Sequence, residues 1–367
     1  MTDTQAQTVE KTGASPVTPE AIRRARKEHH QMRERDLARK LGISECEFIG
    51  AFMGEGATPI SADINALLPE LASLGEVMAL TRNESAVHEK IGIYDNVHPG
   101  ARASIVLAGD IDLRIFPSKW EYGFAVEKAG EAGVRRSLQF FDASGDAVHK
   151  IHLRPESDLN AYHALVRRFL RTDQPVQPGT LGSRARKSDA GNPSAVGDKV
   201  RQAELRRRWE AMTDVHQFFG VLRKLELTRL QALEMIGDDF AWPVEAHTVP
   251  FLLEQSAGQA IPIMCFVGNH GCIQIHSGAV ANIKPVGPWI NVMDPGFHLH
   301  LRLDHIESVW AVRKPTSDGH VTSIEAYDKS NEMIIQFFGE RGEGREELKD
   351  WRALVESLPR TSNSNAA

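Results

Sequence analysis

The feature that most constrains the fold of this chain is an internal repeat. When the 367-residue sequence is compared with itself at an offset of 186 positions, residues 86–153 align with residues 272–339 without a gap. Thirteen of the 68 aligned pairs are identical, whereas ordinary composition gives roughly four by chance. The sequence therefore predicts two diverged copies of one folding unit, each long enough to bury its own core.

The match continues on both sides of this block with small changes of offset. Upstream the offset is 184, where ARKL at 38–41 aligns with LRKL at 222–225. Downstream the offset is 189, where YHALV at 162–166 aligns with WRALV at 351–355. Short insertions between matching blocks are what two diverged copies of a duplicated unit should show.

The stretch between the copies is rich in Pro, Gly, Ser and charge and offers little to bury, which indicates a linker. The predicted organisation is a disordered N-terminus at 1–18, a first repeat at 19–170, a linker at 171–199, a second repeat at 200–360 and a disordered tail at 361–367.

Each copy is predicted to be an α+β unit. It begins with a helical pair whose second helix has a capping box, Ser44-x-x-Glu47 in the first copy and Thr228-x-x-Gln231 in the second. Alternating apolar residues then predict strands that lie too close together in sequence for crossover helices. We therefore expect a large antiparallel β-sheet in each copy, followed by a closing C-terminal helix.

Charge and composition exclude several classes of protein. A formal net charge of -6 gives no large positive field, which argues against nucleic acid or an anionic membrane as the main partner. No apolar run approaches the about 20 residues of a membrane helix, and no signal-peptide pattern occurs at the start. Cys46, Cys265 and Cys272 show no CxxC spacing, so neither a disulfide framework nor a zinc site is predicted. These features favour a cytoplasmic protein.

Common catalytic motifs give no lead. No GxGxxG, Walker loop, HExxH or GxSxG stands in a strand-turn-helix setting, so nucleotide, zincin and α/β-hydrolase chemistry lack support. Two positions nevertheless break the symmetry between the copies: His216 aligns with Met32, and Arg229 aligns with Glu45. The second copy thus carries a ligand-type side chain that the first copy lacks.

His216 is the first candidate for a functional residue. The pattern predicts a helix that opens at Asp214, with His216 in its first turn beside an apolar stripe containing Val215 and Phe219. At the edge of a buried face an imidazole can reach a cofactor held between domains, and imidazole is a common axial ligand of heme iron. The alternative interpretation is a surface histidine near a helix start.

Other side chains could bind a large, flat, apolar anion. Lys314, Gln336 and Arg341 can bind carboxylates, while Phe266 and Phe338 could pack on a macrocycle. Taken singly, each of the five could instead be a solvated charge or a core aromatic.

A strand of the first copy, IDLRIF, places Arg114 and Phe116 on the same face, because strand side chains alternate. An arginine that shares a strand face with a phenylalanine is expected to be half-buried and to bind an anion or a water molecule. An ordinary salt bridge is the alternative.

Taken together, these segments resemble the HemS/HmuS/ChuS/PhuS family of cytoplasmic heme-handling proteins, the hemin-degrading factors. The similarity covers residues 20–358. It is carried by MALTRNESAVHEKIGIYDNV (78–97), DIDLRIF (110–116), MTDVHQFF (212–219), FVGNHGCIQIHSG (266–278), RKPTSDG (313–319) and QFFGER (336–341).

The resemblance implies a heme b site between the two copies. It makes His216 the proximal ligand of the iron and brings Arg114 from the first copy to the distal side, through a water molecule. It also implies that Phe116 and Phe266 line the ring. The side chains that hold or surround the propionates would be Arg229, Lys314, Gln336 and Arg341.

The chain departs from the family pattern at one of these positions. The QFFGER segment often has tyrosine where this chain has Phe338, so a hydroxyl donor is lost while ring packing is kept. His247 and His320 are alternative axial ligands by residue type alone.

The resemblance leaves two functions open. The preferred one is heme binding and trafficking in bacterial heme uptake and iron acquisition, with heme accepted from an inner-membrane ABC transporter and passed to a downstream heme oxygenase. The other is a heme-degrading oxidoreductase of the heme oxygenase type, with Arg114 as the distal catalytic residue and an external electron donor. The carrier is preferred because no redox-partner site can be identified in the sequence. The oligomer could be a monomer or a dimer.

A remote alternative is a DNA-binding protein, because residues 214–237 superficially resemble a helix-turn-helix. Its recognition helix would carry Glu234, Asp238 and Asp239 with Arg229 as the lone cation. Phosphate repulsion argues against it, and no nucleic-acid partner is expected.

Overall fold

The computed structural model describes residues 17–131, 133–173, 199–341 and 346–361. The predicted N-terminal segment, linker and tail fall almost wholly outside the described residues.

Each half of the chain contributes five helices and nine strands to the described residues. The helices are α1 (Pro19–Glu28), α2 (Glu34–Leu41), α3 (Glu45–Gly50), α4 (Ile64–Leu71), α5 (Leu159–Arg168), α6 (Lys199–Glu210), α7 (Gln217–Leu225), α8 (Arg229–Ile236), α9 (Thr248–Gly258) and α10 (Lys349–Glu356). The strands of the first half are β1 (Ala57–Ile60), β2 (Val77–Arg82), β3 (Ala86–Gly92), β4 (Val97–His98), β5 (Ser104–Ala108), β6 (Ile111–Ile115), β7 (Tyr122–Gly130), β8 (Gly133–Phe141) and β9 (Ala147–Leu153). Those of the second half are β10 (Ala241–Val244), β11 (Ile263–Gly268), β12 (Cys272–Gly278), β13 (Ile283–Val286), β14 (Trp289–Asp294), β15 (Phe297–Arg302), β16 (Ser308–Thr316), β17 (Gly319–Tyr327) and β18 (Met333–Gly339).

The predicted duplication is confirmed element by element. At the offset of 186, β2 coincides with β11, β3 with β12, and β7, β8 and β9 with β16, β17 and β18. The predicted helical pair is α2 with α3 in the first half and α7 with α8 in the second. Both predicted capping boxes are present, at Ser44 with Glu47 and at Thr228 with Gln231. The helices α1, α4, α6 and α9 were not predicted.

The sheets depart from a simple tandem arrangement. All the strands form two antiparallel nine-stranded sheets, and each sheet takes six strands from one half and three from the other. The first sheet has the order β1-β7-β8-β9-β2-β3-β15-β14-β13, and the second has the order β10-β16-β17-β18-β11-β12-β6-β5-β4. The hairpin strands β4–β6 and β13–β15 have thus exchanged places, and neither half is a self-contained unit.

The two faces of each sheet differ in what covers them. One face of the second sheet packs against α9 and α10 in a large apolar core, and one face of the first sheet packs against α4 and α5. On the opposite face, α6–α8 cover the β16 and β17 side of the second sheet, and α1–α3 cover the β7 and β8 side of the first. In each sheet we call the face that packs against α6–α8 or α1–α3 the open face. These helices cover only part of it, and the strands that they leave uncovered carry half-buried side chains.

The start of α7 was predicted wrongly. The helix begins at Gln217 rather than at Asp214, and His216 is its N-cap residue. Phe219 was assigned to the buried stripe, yet it is 58% exposed, while Phe218 and Val221 are buried. Phe219 is one residue beyond the buried Phe218 and so points about 100° away from the face that packs on the sheet.

The residue that ends α7 provides a test of backbone strain. Glu226 has a φ of 52°, in the left-handed region, whereas the equivalent end of α2 has Gly42 at a φ of 70°. A side chain in this region costs about 1 kcal/mol. We therefore expect Glu226→Gly to raise the free energy of unfolding by about 1 kcal/mol in urea denaturation. Glu226→Ala serves as the control and should give no such gain.

None of the described helices is long and apolar enough to span a bilayer.

Candidate functional site

The strand exchange assembles the open face of the second sheet from both halves. The cross-strand register forms one row of side chains, from Glu325 through Gln336, Phe266 and Ile275 to Asp112. Residues paired across strands project from the same face of a sheet. Because side chains alternate along each strand, this face also carries Lys314, Phe338, Ile273 and Arg114. Arg114 of the first half is therefore on the same face as four predicted residues of the second half, which are Phe266, Lys314, Gln336 and Phe338.

His216 lies in the loop before α7 with its side chain 84% exposed. Asp214 Oδ1 accepts two hydrogen bonds of 2.7 Å, from the backbone N–H of His216 and from its Nδ1. A carboxylate can only accept at neutral pH, so the imidazole carries its proton on Nδ1 and its lone pair on Nε2. These hydrogen bonds lower the pKa of Asp214, with a smaller contribution from the charge of Arg341.

The loop that carries His216 is tied to the sheet. The carbonyl of Thr213 accepts a 2.9 Å hydrogen bond from the backbone N–H of Ser317, in the turn between β16 and β17. The Gln217 amide closes the loop, because it bonds the backbone N–H of Thr213 at 3.0 Å and its hydroxyl at 3.2 Å. His216 is thus placed at the end of the open face where Lys314 lies.

Glu325 is the centre of a buried polar cluster that the sequence analysis missed. Its carboxylate has no exposed surface and accepts two 2.6 Å hydrogen bonds from the Arg229 guanidinium. Lys314 and Gln336 each donate to the same carboxylate at 3.0 Å, and Tyr327 donates at 2.7 Å. Three residues predicted to surround propionates are therefore brought together, but around a carboxylate of the protein itself.

Charge in this cluster is not balanced, since two cations share one carboxylate. Burial alone would raise the pKa of Glu325, but Arg229 and Lys314 hold it well below its usual value. Burial lowers the pKa of Lys314 to about 8, so its ammonium stays mostly protonated at neutral pH. The cluster therefore carries an excess positive charge of about one unit near pH 7.

An aromatic side chain shields the two cations. The Arg229 guanidinium lies 5.1 Å from the centroid of the Phe218 ring, and the Lys314 ammonium lies 4.8 Å from it. Further along the open face, the rings of Phe266 and Phe338 meet edge to face at 5.0 Å. Flat apolar surface and positive charge therefore adjoin each other on this face.

Arg114 is half-buried and forms an ion pair with Asp112, its neighbour on the same strand face. Burial raises the pKa of Asp112 in spite of this partner. The structure thus contains the salt bridge that the sequence left open as an alternative. Phe116 follows β6 and is also half-buried, with its backbone N–H bonded to the carbonyl of Gly271 at 3.0 Å.

A cavity of about 430 Å³ adjoins this face between the two halves of the chain. Phe266, Ile273 and Gln336 line it from the second sheet, and Arg35 and Arg82 line it from the first half. Of the predicted site residues, only Phe266 and Gln336 reach this cavity.

The two alternative histidines lie elsewhere. His247 caps α9, and its Nδ1 is 2.9 Å from the Glu245 carboxylate. His320 pairs with Pro315 in the β16–β17 ladder and so faces the α10 side of the sheet. Neither lies on the open face.

Comparison with known proteins gives consistent matches over nearly the whole chain. The model of the Haemin-degrading HemS.ChuX domain matches residues 42–169 and again 226–358. The chain is 39% identical over 335 residues to the Hemin transport protein HmuS of Yersinia pestis. The aligned region covers 91% of this chain and 95% of that protein.

Two solved structures are similar to the present one. Holo-PhuS, a heme-binding protein from Pseudomonas aeruginosa, is 41% identical with a TM-score of 0.88, covering 93% of this chain and 98% of that one. The heme degrading enzyme ChuS of Escherichia coli O157:H7 is 35% identical with a TM-score of 0.83, covering 92% of this chain and 97% of that one.

Proposed function

The chain belongs to the haemin-degrading HemS/ChuX family, and on that premise we propose that it binds heme b on the open face of the second sheet and carries it during heme uptake. The relative from Yersinia pestis is named for hemin transport, and the one from Pseudomonas aeruginosa is named for heme binding. In this role heme is a cargo that arrives in the cytoplasm from an inner-membrane transporter and leaves for a heme oxygenase.

The observation that carries the proposal is the geometry of His216. Its Nδ1 is held by Asp214 at 2.7 Å, and the ring is exposed. Histidines that bind metals almost always donate their other ring N–H to an oxygen in this way, because the donation fixes the tautomer and raises the basicity of the ligating nitrogen. We assign His216 Nε2 as the axial ligand of the iron.

The surrounding side chains fit the rest of the ligand. Phe266, Phe338 and Phe116 supply apolar surface for the ring on the face that also carries Arg114. Phe338 has no hydroxyl, so its contribution is packing alone. When bound, the heme iron would bring its own redox chemistry, and these residues would orient the ring and exclude water.

The ligand's two carboxylates would be attracted by positive charge at the His216 end of the face. Arg341 acts electrostatically on Asp214 and is half-buried, and we assign it as the direct partner of a propionate. Arg229 and Lys314 are occupied by Glu325 and covered by Phe218. Their excess positive charge would attract the propionates through space, without direct contact. Gln336 lies half-buried at the edge of the cluster.

A heme-degrading enzyme is the second candidate, because a relative that is 35% identical is named as one. In that role Arg114 would stabilise charge on the distal side of the ring. The ion pair with Asp112 neutralises this arginine, which supports the carrier.

The decisive test is a heme titration of His216→Ala. We expect a shifted Soret band and an affinity at least about tenfold lower, and about a tenfold loss for Asp214→Asn, whose amide orients the imidazole without the charge. His247→Ala removes an exposed histidine with a similar carboxylate partner and should change neither quantity. An unaltered spectrum and affinity in His216→Ala would exclude the ligand assignment.

A second experiment separates carrier from enzyme. The heme complex is reduced with and without catalase while tetrapyrrole products and transfer to a heme oxygenase are followed. The carrier predicts breakdown that catalase abolishes and rapid transfer. Regiospecific ring opening that persists with catalase would favour the enzyme.

A further inference from the structure

A buried hydrogen-bonded chain of four side chains begins in the first half of the molecule, and the function proposed above does not use it. The Tyr94 hydroxyl lies 2.6 Å from His149 Nε2, and His149 Nδ1 lies 2.8 Å from the Thr81 hydroxyl. The Thr81 hydroxyl in turn lies 3.6 Å from the Sγ atom of Cys272, in the second half. All four residues are at most 1% exposed.

The direction of these hydrogen bonds follows from the weakest member of the chain. A thiol is a weak donor, so the Thr81 hydroxyl donates to the sulfur of Cys272. Thr81 then accepts from His149 Nδ1–H, which leaves the lone pair of this imidazole on Nε2. The Tyr94 O–H therefore donates to His149 Nε2, and the phenol proton has an acceptor already in place.

Both members of the Tyr94–His149 pair are neutral at rest. Burial raises the pKa of Tyr94 well above its usual value and lowers the pKa of His149 to about 3. A phenol that has lost an electron is a much stronger acid than before, so even a weakly basic imidazole can take its proton. The pair is thus suited to the loss of an electron instead of acid–base chemistry near neutral pH.

The internal repeat shows that the fold does not require this chain. At the offset of 186, each of its four positions coincides with a buried apolar residue of the other copy. These residues are Val280, Ile335, Val267 and Ala86. A buried polar network is often no more stable than apolar side chains of similar volume. Packing alone therefore does not account for the four polar side chains.

The chain ends one sheet away from the face to which we assign heme. Cys272 precedes Ile273 on β12, and the Ile273 side chain is on the open face of the second sheet. Because side chains alternate along a strand, Cys272 projects from the opposite face. The backbone of β12 therefore lies between the end of the chain and the proposed heme.

Trp120 connects the pair with the residues that line the ring. Its ring centroid lies 6.0 Å from that of His149, and its Nε1 donates to the carbonyl of Gly271 at 2.9 Å. The same carbonyl accepts the backbone N–H of Phe116 at 3.0 Å. Tryptophan and tyrosine are the aromatic side chains that lose an electron most easily. Oxidisable rings therefore lead from the vicinity of Phe116 to Tyr94.

Tyr94 lies directly beneath the protein surface. Its chain neighbours Ile93 and Asp95 are exposed, although its own ring is buried. A small electron donor in solution can therefore come close to this ring.

We propose that Tyr94 is a redox-active tyrosine that removes oxidising equivalents from bound heme, with His149 as the acceptor of its proton. This inference rests on the proposed function for the position of the heme. Hydrogen peroxide oxidises ferric heme by two electrons and is itself reduced to water. Tyr94 then returns one electron to the heme, its O–H bond breaks, and the proton moves to His149 Nε2. The products are a neutral tyrosyl radical, an imidazolium and a heme one electron above the ferric state.

An external one-electron reductant such as ascorbate completes the cycle. It gives one electron to the tyrosyl radical, and the proton returns from His149 Nε2 to the phenol oxygen. A second passage of the same kind brings the heme back to the ferric state. The porphyrin ring of the cargo thus survives an encounter with peroxide during transport.

The test is freeze-quench electron paramagnetic resonance on the whole protein, loaded with ferric heme and mixed with hydrogen peroxide. We expect a tyrosyl radical in the wild type, with a hyperfine pattern that changes when the protein contains ring-deuterated tyrosine. Tyr94→Phe should lose this signal, and its Soret band should bleach faster under peroxide than that of the wild type. An unchanged Soret band before peroxide is added shows that the variant folds and binds heme.

Two further variants separate the redox role from a structural one. His149→Gln keeps both hydrogen bonds, because the amide oxygen accepts from Tyr94 and the N–H₂ donates to Thr81, but an amide cannot take the proton. The radical signal should be lost in this variant as well. Tyr162→Phe is the matched control, because Tyr162 is 1% exposed and its hydroxyl has no hydrogen-bond partner among the described residues. It should keep the wild-type signal.

The outcomes separate this proposal from the carrier function. A wild-type signal in Tyr94→Phe, or no tyrosyl signal in the wild type, would overturn the redox role, and a wild-type signal in His149→Gln would overturn the proton acceptor. The carrier function is judged from the Soret band and heme affinity of His216→Ala before peroxide is added. If it failed while the radical still depended on Tyr94, the redox role of this tyrosine would stand.

Discussion

Glu325→Gln should lower the free energy of unfolding by about 3–5 kcal/mol, the cost of leaving buried charges without their partner. The carboxylate neutralises Arg229 and Lys314, whose side chains are 15% and 5% exposed. Glutamine has the same shape, but its amide carries no charge and presents an N–H₂ to groups that can only donate. Urea denaturation with an unchanged m-value gives the loss directly.

The control is an ion pair of the same type at the surface. Glu356 bonds Arg313 at 2.6 Å and is 48% exposed, so Glu356→Gln should cost less than about 1 kcal/mol. In the double variant Glu325→Gln with Lys314→Gln, part of the loss should be restored, because one unpaired charge is removed. A cost below about 1 kcal/mol for Glu325→Gln would show that the cluster is not a determinant of stability.

Lowering the pH from about 7 to about 5 should also destabilise the fold, because several histidines are buried as neutral imidazoles. Burial lowers the pKa of His149 to about 3 and that of His276 to about 4, and it lowers that of His88 well below its usual value. The unfolded chain binds protons on these side chains near pH 6.5 and the folded chain does not. Stability is therefore complete above about pH 6.5 and falls by about 2 kcal/mol per buried histidine at pH 5.

His149→Gln tests this expectation. The His149 ring lies 2.6 Å from the Tyr94 hydroxyl and 2.8 Å from that of Thr81, and an amide can replace both hydrogen bonds without titrating. The stability difference between pH 7 and pH 5 should shrink by about 2 kcal/mol. His247→Ala removes an exposed histidine and should leave this stability difference unchanged. If the wild type, His149→Gln and His247→Ala all lost the same stability between pH 7 and pH 5, the role of His149 would be refuted.

The internal repeat in the sequence predicted which strands of the two halves correspond to each other. An offset of 186 residues located every strand from β2 to β9 on its equivalent between β11 and β18, because both copies keep the same apolar alternation. The capping boxes at Ser44 and Thr228 marked the starts of α3 and α8, since the side chain and the backbone bond each other locally.

The strand exchange could not be predicted in the same way. β6 pairs with β12 of the other half, while β15 pairs with β3. Because the halves are copies, β3 and β12 offer nearly the same edge, and β6 carries nothing local that selects one over the other. The choice depends on the free energy of the whole assembly, which no local pattern contains.

The missed residues of the candidate site had a signal. Glu325 aligns with the neutral Gln139, the same kind of asymmetry that singled out His216. Its role depends on three strands and a helix that meet only in the folded chain. The exposure of Phe219 was missed because Phe218 and Phe219 are adjacent apolar residues, and the sequence pattern does not say which of the two faces the core.

The exchanged hairpins also govern how this protein must be made. Strand β6 ends at Ile115 and its partner β12 begins at Cys272, so roughly 160 residues of synthesis, about 8–30 s on a ribosome, separate them. Throughout that interval the β4–β6 hairpin and the edge of β3 lack their native partners, and strand edges without their native partners can join other chains. We therefore expect the nascent first half to be prone to aggregation, and slowing translation beyond Ile115 should increase that aggregation.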